Sequence, residues 1–149
     1  MAIPALINIG GVQQLPPGEH PTTLVEISAT YGMSSPQRIR LMGSLLKVAD
    51  TMKNAKVKRI WIDGSFVTDK KGPNDIDGCW SASGVLQTAF DAHMDPLFAD
   101  PNARTLVKNR YDLDFYIAEI TEAKSGLRFP EFFQTDRNGN KKGILVVDL

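Results

Sequence analysis

Two aspartates, Asp75 and Asp77, stand one residue apart soon after a Gly64-Ser65 pair, and these residues have the types and spacing to do chemistry. Side chains alternate in direction along a strand, so both carboxylates are expected on one side and Ile76 on the other. Neighbouring carboxylates repel each other unless a cation or a proton lies between them. Carboxylate oxygens are ligands that Mg²⁺ prefers, and Mg²⁺ usually binds together with phosphates. Glycine lets backbone N–H groups approach a ligand closely, so the Gly-Ser pair is predicted to face a phosphate.

An apolar strand, a Gly-Ser pair, a variable loop and an Asp-apolar-Asp triplet follow one another at residues 60–63, 64–65, 66–74 and 75–77. That order resembles the signature of the nucleotidyltransferase fold shared by DNA polymerase β, kanamycin-type aminoglycoside nucleotidyltransferases and the minimal nucleotidyltransferases of toxin–antitoxin pairs. With flanking stretches at 15–20, 61–67, 131–134 and 142–144, the whole chain resembles a small bacterial and phage-associated family of uncharacterised nucleotidyltransferase-like proteins. The resemblance implies that fold over nearly the full length.

The resemblance also implies a two-metal site built from three carboxylates. Asp75 and Asp77 match the two ligands of the Asp-x-Asp strand, and a neighbouring strand supplies the third. Two Mg²⁺ or Mn²⁺ ions roughly 3.5–4 Å apart steady the attacking and leaving oxygens of an in-line displacement. Ser65 would hydrogen-bond a terminal phosphate for which Gly64 makes room. The implied substrate is a nucleoside triphosphate such as ATP.

Two aspartates are candidates for the third carboxylate. Residues 111–117 alternate between apolar and polar types, which is typical of a half-buried strand, and the polar face carries Asp112 and Asp114. Asp114 is favoured, because Leu113 and Phe115 flank it in the apolar-Asp-apolar pattern of that position in the resembling enzymes. The competing interpretation is that both carboxylates face water on an edge strand.

Three charged residues near the Gly-Ser pair have open roles. Lys70 and Lys71 lie in the loop before the Asp triplet, where they could reach the phosphates as point charges or simply face water. Asp63 directly precedes Gly64 and is expected to cap the turn, with an approach to a metal as the alternative.

The remaining pattern predicts an α/β (α+β) protein with a nucleotidyltransferase-type mixed sheet, helices packed mainly on one face and a C-terminal hairpin. Prolines and glycines in residues 1–21 indicate an irregular N-terminal arm, followed by a single domain over 22–149. Predicted helices start at a Thr-x-x-Glu capping box and at a Ser-Pro pair, and they end near Tyr31 and Asn54. Strands are predicted at 57–62, 75–80, 111–117 and 144–149, further helices at 84–93 and 100–109, a helical turn at 129–134, and a hairpin turn at Asn138-Gly139.

Composition narrows the classes of function. The chain has 149 residues with 17 basic and 17 acidic side chains, and this zero net charge disfavours a duplex-binding domain, which usually carries a basic excess. The single cysteine, Cys79, excludes an internal disulfide. No stretch approaches the roughly 20 apolar residues that a membrane span needs, so no membrane partner is expected. A cytoplasmic protein is predicted.

Two hypotheses of different class follow. In the first, a metal-dependent nucleotidyltransferase moves a nucleoside monophosphate from a nucleoside triphosphate to a hydroxyl of a protein, RNA or small molecule, and pyrophosphate is released. In the second, a catalytically weak or inactive binding module uses the same fold, for example as an antitoxin that binds a partner toxin or as a phage-defence component. The chain shows no evident second domain for an acceptor, so we expect either an acceptor on a partner protein or a site completed by a homodimer.

Overall fold

The computed structural model describes residues 2–149 and contains, within that range, seven strands and five helices. The strands are β1 (Ile7–Ile9), β2 (Val12–Gln14), β3 (Gly18–Thr22), β4 (Arg59–Asp63), β5 (Ile76–Trp80), β6 (Leu113–Ile117) and β7 (Gly143–Asp148). The helices are α1 (Leu24–Tyr31), α2 (Pro36–Asn54), α3 (Gln87–His93), α4 (Arg104–Tyr111) and α5 (Phe129–Phe132). Short 3₁₀ turns cover Ser65–Val67, Pro96–Ala99 and Pro101–Ala103.

Five of the strands form one mixed sheet in the order β3-β7-β4-β5-β6. Strand β4 lies antiparallel to both β5 and β7, whereas β5 runs parallel to β6 and β3 runs parallel to β7. Strands β1 and β2 form a separate two-stranded hairpin. The predicted α/β (α+β) class with a mixed sheet is therefore confirmed.

The two faces of the large sheet are covered unequally. On one face, Ile62, Ile76 and Leu113 are fully buried and belong to the same apolar cluster as Leu41 and Leu45 of α2. We call this the helix face. The opposite face, called the open face here, carries a smaller cluster to which α5 and Tyr116 contribute. Its buried members are Trp61, Cys79, Ala118, Ile144 and Val146.

Helix α2 both supports the sheet and fixes the loop that follows the Gly-Ser pair. It begins where predicted, because the Ser35 hydroxyl accepts a hydrogen bond from the Arg38 N–H at 3.1 Å and caps the helix. The Arg38 side chain is buried, and its guanidinium donates to backbone carbonyls of the loop. These carbonyls belong to Phe66, Thr68 and Lys70. A buried guanidinium satisfied in this way holds the loop against the core.

The prediction of an irregular arm over residues 1–21 is wrong for the residues that form β1, β2 and β3. Strand β3 is an edge strand of the large sheet and pairs with β7. Its Pro21 cannot donate to a ladder, and an edge position tolerates this. The local sequence does not predict β3, because this strand forms through its pairing with β7, more than a hundred residues away in the chain.

The turn before the last strand forms as predicted, with Gly139 at a positive φ of 82°. A single antiparallel bridge between Thr135 and Lys141 closes it. Strand β7 itself pairs with β3 and β4, so the chain enters the centre of the sheet directly after this turn. Across residues 2–149, no helix combines the length and the apolarity that crossing a bilayer requires.

Candidate functional site

Three aspartates lie side by side on adjacent strands of the sheet. Asp77 of β5 pairs in register with Asp63 of β4 and with Asp114 of β6. Residues directly opposite each other on neighbouring strands point to the same face, and this row is on the open face next to Trp61, Cys79 and Tyr116. Asp75 directly precedes β5, and its carboxylate is close enough to act on Asp77 through its charge. The sequence-predicted Asp75, Asp77 and Asp114 are thus brought together, and Asp63 joins them.

The Gly64 turn runs directly against the central carboxylate of this row. Gly64 has φ 80° and ψ −165°, a backbone region that is essentially restricted to glycine. A Cβ atom at this position would lie 2.1 Å from Oδ2 of Asp77. Glycine is therefore required twice, for the backbone conformation and for the close approach. Ser65 follows as the first residue of a 3₁₀ turn.

Basic side chains hold three of the four carboxylates. Two of these pairs come from α4. Lys108 Nζ lies 3.0 Å from Asp75 Oδ2. Arg104 donates to both carboxylate oxygens of Asp114, at 2.9 and 3.3 Å, and its guanidinium lies over the Tyr116 ring, 3.9 Å from the centroid.

The third pair joins Lys142, from the loop before β7, to Asp63. Both side chains are largely buried, with exposed fractions of 13% and 6%. Burial raises the pKa of Asp63, although Lys142 and a backbone hydrogen bond from Gly64 act in the opposite direction.

The central carboxylate differs from its neighbours. Among residues 2–149, no lysine, arginine or histidine forms an ion pair with Asp77. Burial, with further contributions from the negative charges of Asp75, Asp114 and Asp63, raises the pKa of Asp77 to about 7. Two causes therefore act together, loss of solvation and like charge. A carboxyl that titrates near neutral pH is characteristic of functional sites.

The carboxylate row does not form a ready-made metal cage. Within the part of the chain that the structure describes, no group of three or more His, Cys, Asp or Glu side chains is arranged to hold a metal ion. The oxygens of Asp75 and Asp114 are instead bonded to Lys108 and Arg104. The side chains of these two basic residues are 48% and 40% exposed, so they have room to move into solvent.

Asp112, the alternative third carboxylate, lies outside the row. It ends α4 in a left-handed conformation with φ 58°, which interrupts the strand alternation before β6 begins. Its carboxylate pairs with Arg40 at 2.6 Å. Of the two candidates, Asp114 is the one placed beside Asp77.

A cleft of about 870 Å³ opens above Asp63 and Asp77. The Gly64-Ser65 turn and Lys70 contribute to its lining, whereas Lys71 is exposed and does not. Asp75 and Asp114 are also outside the lining. A second wall comes from α5 and the loop that leads to β7. This wall is formed by Phe132, Phe133, Thr135, Asp136, Arg137 and Lys142.

Sequence reasoning missed the basic partners of the site. Lys142 is 79 positions from Asp63, and its pairing depends on β7 lying next to β4. Arg104 and Lys108 stand four apart on α4, a spacing that places them on one helix face. That spacing was the available signal, but it becomes meaningful only once α4 is known to lie beside β6.

One family model matches residues 10–148, and it is described as a family of unknown function (DUF6932). Comparisons with curated proteins and with solved structures give no match.

Proposed function

The chain belongs to the family of unknown function DUF6932, and we propose that it is a metal-dependent nucleotidyltransferase. It would move a nucleoside monophosphate from a nucleoside triphosphate to a hydroxyl of a protein, RNA or small molecule. The observation that carries the proposal is the pairing of Asp77 with Asp114 on neighbouring strands, with the Gly64 turn against Asp77. Because such triphosphates and Mg²⁺ are cytoplasmic reagents, the proposal assigns the protein to that compartment.

The donor set of the row suits a divalent cation. Asp75, Asp77 and Asp114 offer carboxylate oxygens, which are the ligands that Mg²⁺ and Mn²⁺ prefer. Burial, followed by the negative charges of Asp75, Asp114 and Asp63, raises the pKa of Asp77, and a cation would relieve the like-charge repulsion. Lys108 and Arg104 supply positive charge to the two outer carboxylates. A metal would therefore have to compete with them.

In the proposed reaction, the oxygen of the acceptor hydroxyl forms a bond to the α-phosphorus. The bond from that phosphorus to the oxygen bridging to the β-phosphorus breaks, and pyrophosphate leaves with the electron pair. Bound cations would stabilise the charge on the leaving group. The hydroxyl proton would pass to a carboxylate oxygen of Asp77, the central carboxylate of the row. Lys70, in the cleft wall, would offset phosphate charge, whereas Lys142 is paired with Asp63.

Label transfer tests this proposal. The chain would be incubated with each α-³²P-labelled nucleoside triphosphate, Mg²⁺ or Mn²⁺, and cell lysate. Wild type and Asp112→Asn, a matched control outside the row, should label an acceptor. Asp77→Asn should reduce labelling at least about 100-fold, since loss of a group that acts on the transition state has effects of this size. Equal labelling by wild type and Asp77→Asn would refute the assignment.

One observation favours a second candidate, a catalytically weak binding module such as an antitoxin. Arg104 forms an ion pair with Asp114, and Lys108 forms one with Asp75. A vestigial site that no longer binds a metal would have its carboxylates neutralised in this way. Calorimetry separates the two functions. Nucleotide binding that is unchanged when Mg²⁺ is removed with a chelator favours the binding module, whereas binding that requires the metal favours the transferase.

A further inference from the structure

We propose that Phe132 forms the base-binding wall of the cleft, so that a nucleotide bound there stacks its base on this ring and directs its phosphates toward the Gly64-Ser65 turn. This inference rests on the proposed function and names the part of the substrate that the open face recognises. It concerns a cleft wall whose residues, including the flanking stretch 131–134, were given no chemical role by the sequence analysis.

The first support is the way in which α5 distributes its aromatic rings. Phe129 and Phe133 both pack on Tyr116, with ring centroids 4.3 and 5.2 Å from it. They belong to the smaller apolar cluster of the open face. Phe132 belongs to neither apolar cluster of the described chain. Its ring is arranged edge-to-face with the rings of Phe129 and Phe133, with centroids 6.1 and 5.4 Å away.

The second support is that this half-buried ring lines the cleft. A large aromatic side chain normally buries its surface or finds a partner. Phe132 instead leaves part of its surface in a cleft of about 870 Å³, which falls in the size range of small-molecule sites. The base of a nucleotide is a flat aromatic partner that would cover this surface.

The third support is the charge around the ring. Arg137 and Lys142 lie on the same wall as Phe132, and Lys70 lies on the wall formed by the loop after Ser65. Within residues 2–149, Arg137 and Lys70 form no ion pair. The lining also carries Asp69 and Asp136. Asp136 accepts hydrogen bonds from Gln14 and Asn140 and keeps its negative charge, and Lys142 is paired with Asp63. Lys70 and Arg137 are therefore the basic side chains that remain for a phosphate. An aromatic ring with basic side chains nearby fits a ligand that joins a flat base to phosphates, rather than a purely apolar ligand.

Binding measurements on the full chain test this inference. Calorimetry would compare Mg-ATP, which carries a base, with Mg-tripolyphosphate, which has only the phosphates. Phe132→Ala should weaken ATP binding about 10-fold or more, since stacking on an aromatic side chain has this magnitude, and should leave tripolyphosphate binding within about 2-fold. Phe132→Trp should retain ATP binding.

Phe129→Leu is the matched control. Phe129 belongs to the same aromatic cluster but lines a separate cavity of about 140 Å³ beside Arg104, so ATP binding should be unchanged. The inference is overturned if Phe132→Ala binds ATP as wild type does, or if wild type binds ATP no tighter than tripolyphosphate. A stacking effect without any label transfer would leave this inference standing while the transferase proposal fails. The reverse result would overturn only the role of Phe132.

Discussion

The helix face and the open face of the sheet differ in chemistry although the same strands build both. On adjacent rungs of β5 and β6, Ile76 pairs with Leu113 on the helix face, and Asp77 pairs with Asp114 on the open face. The first pair is fully buried under helices. The second pair sets two carboxylates side by side, and burial together with the neighbouring negative charges raises the pKa of Asp77.

The difference shows how this fold separates stability from function. Apolar burial on the helix face contributes most of the favourable free energy, because each large side chain removed from water adds about 1.5–3 kcal/mol. The aspartate row opposes folding, since like charges are held together in partly desolvated positions. Because side chains alternate along a strand, one residue pair can face the apolar core while the next pair faces the site on the other side of the sheet.

The largest effect is expected on the helix face. Leu113→Ala should lower the free energy of unfolding by about 2–5 kcal/mol, because the side chain is fully buried and its removal leaves a cavity. Urea denaturation followed by circular dichroism measures this change. A loss below about 1 kcal/mol would mean that the helix face is not the stabilising side of the sheet.

On the open face, we expect Asp77→Asn to change stability in the opposite direction, and only at higher pH. The folded pKa of Asp77 is about 7, above the unfolded value near 3.9. Between these values the folded state holds a proton that the unfolded state has released, so wild-type stability falls as pH rises from about 4 to 7. In a chelator at pH 8, the variant should therefore be more stable than wild type by on the order of 3 kcal/mol.

At pH 5, where the wild-type carboxyl is protonated in the folded state, Asp77→Asn and wild type should be nearly equal. Asp112→Asn provides the comparison within the same acidic region. Its ion pair with Arg40 is partly exposed, so a change of no more than about 1 kcal/mol is expected. If Asp77→Asn showed the same stability difference at pH 5 and pH 8, the electrostatic account of the row would be wrong.

Features that depend on residues close together in the chain could be predicted from the sequence. Alternation predicted the faces on which Asp77 and Asp114 lie, and the resemblance favoured Asp114 through its neighbours Leu113 and Phe115; the pairing of β5 with β6 places these two aspartates opposite each other. Alternation also misled, because it extended the strand back to Tyr111, the last residue of α4, and so included Asp112. The structure ends α4 there with a left-handed residue, and this conformation breaks the period of two.

Relations between distant segments could not be predicted from the sequence. That Asp63 lies opposite Asp77 depends on the register between β4 and β5, and a shift by one residue would turn it to the other face. That Lys142 contacts Asp63 depends on β7 entering beside β4. The edge strand β3 exists through its pairing with β7. Each relation is set by packing of the whole sheet, to which local propensity is a weak guide.

Of the three main substitutions, Gly64→Ala has the smallest expected effect on stability. It tests the contact between the Gly64 turn and the Asp77 carboxylate. Gly64→Ala should lower the free energy of unfolding by about 1–3 kcal/mol, because its backbone region is essentially restricted to glycine, and the new Cβ would also press on Asp77. Gly126→Ala is the matched control, since Gly126 has φ 71° with nothing within 4 Å of an added Cβ. The left-handed backbone conformation alone should lower the free energy of unfolding of this control by about 1–2 kcal/mol.

In an Asp77→Ala background the nearest contact at Gly64 is the remaining Cβ, 2.9 Å away in place of the oxygen at 2.1 Å. The Gly64 substitution should therefore cost less there, and the Gly126 substitution should cost the same in both backgrounds. Equal costs for Gly64→Ala with and without the Asp77 carboxylate would show that the turn does not press on the row.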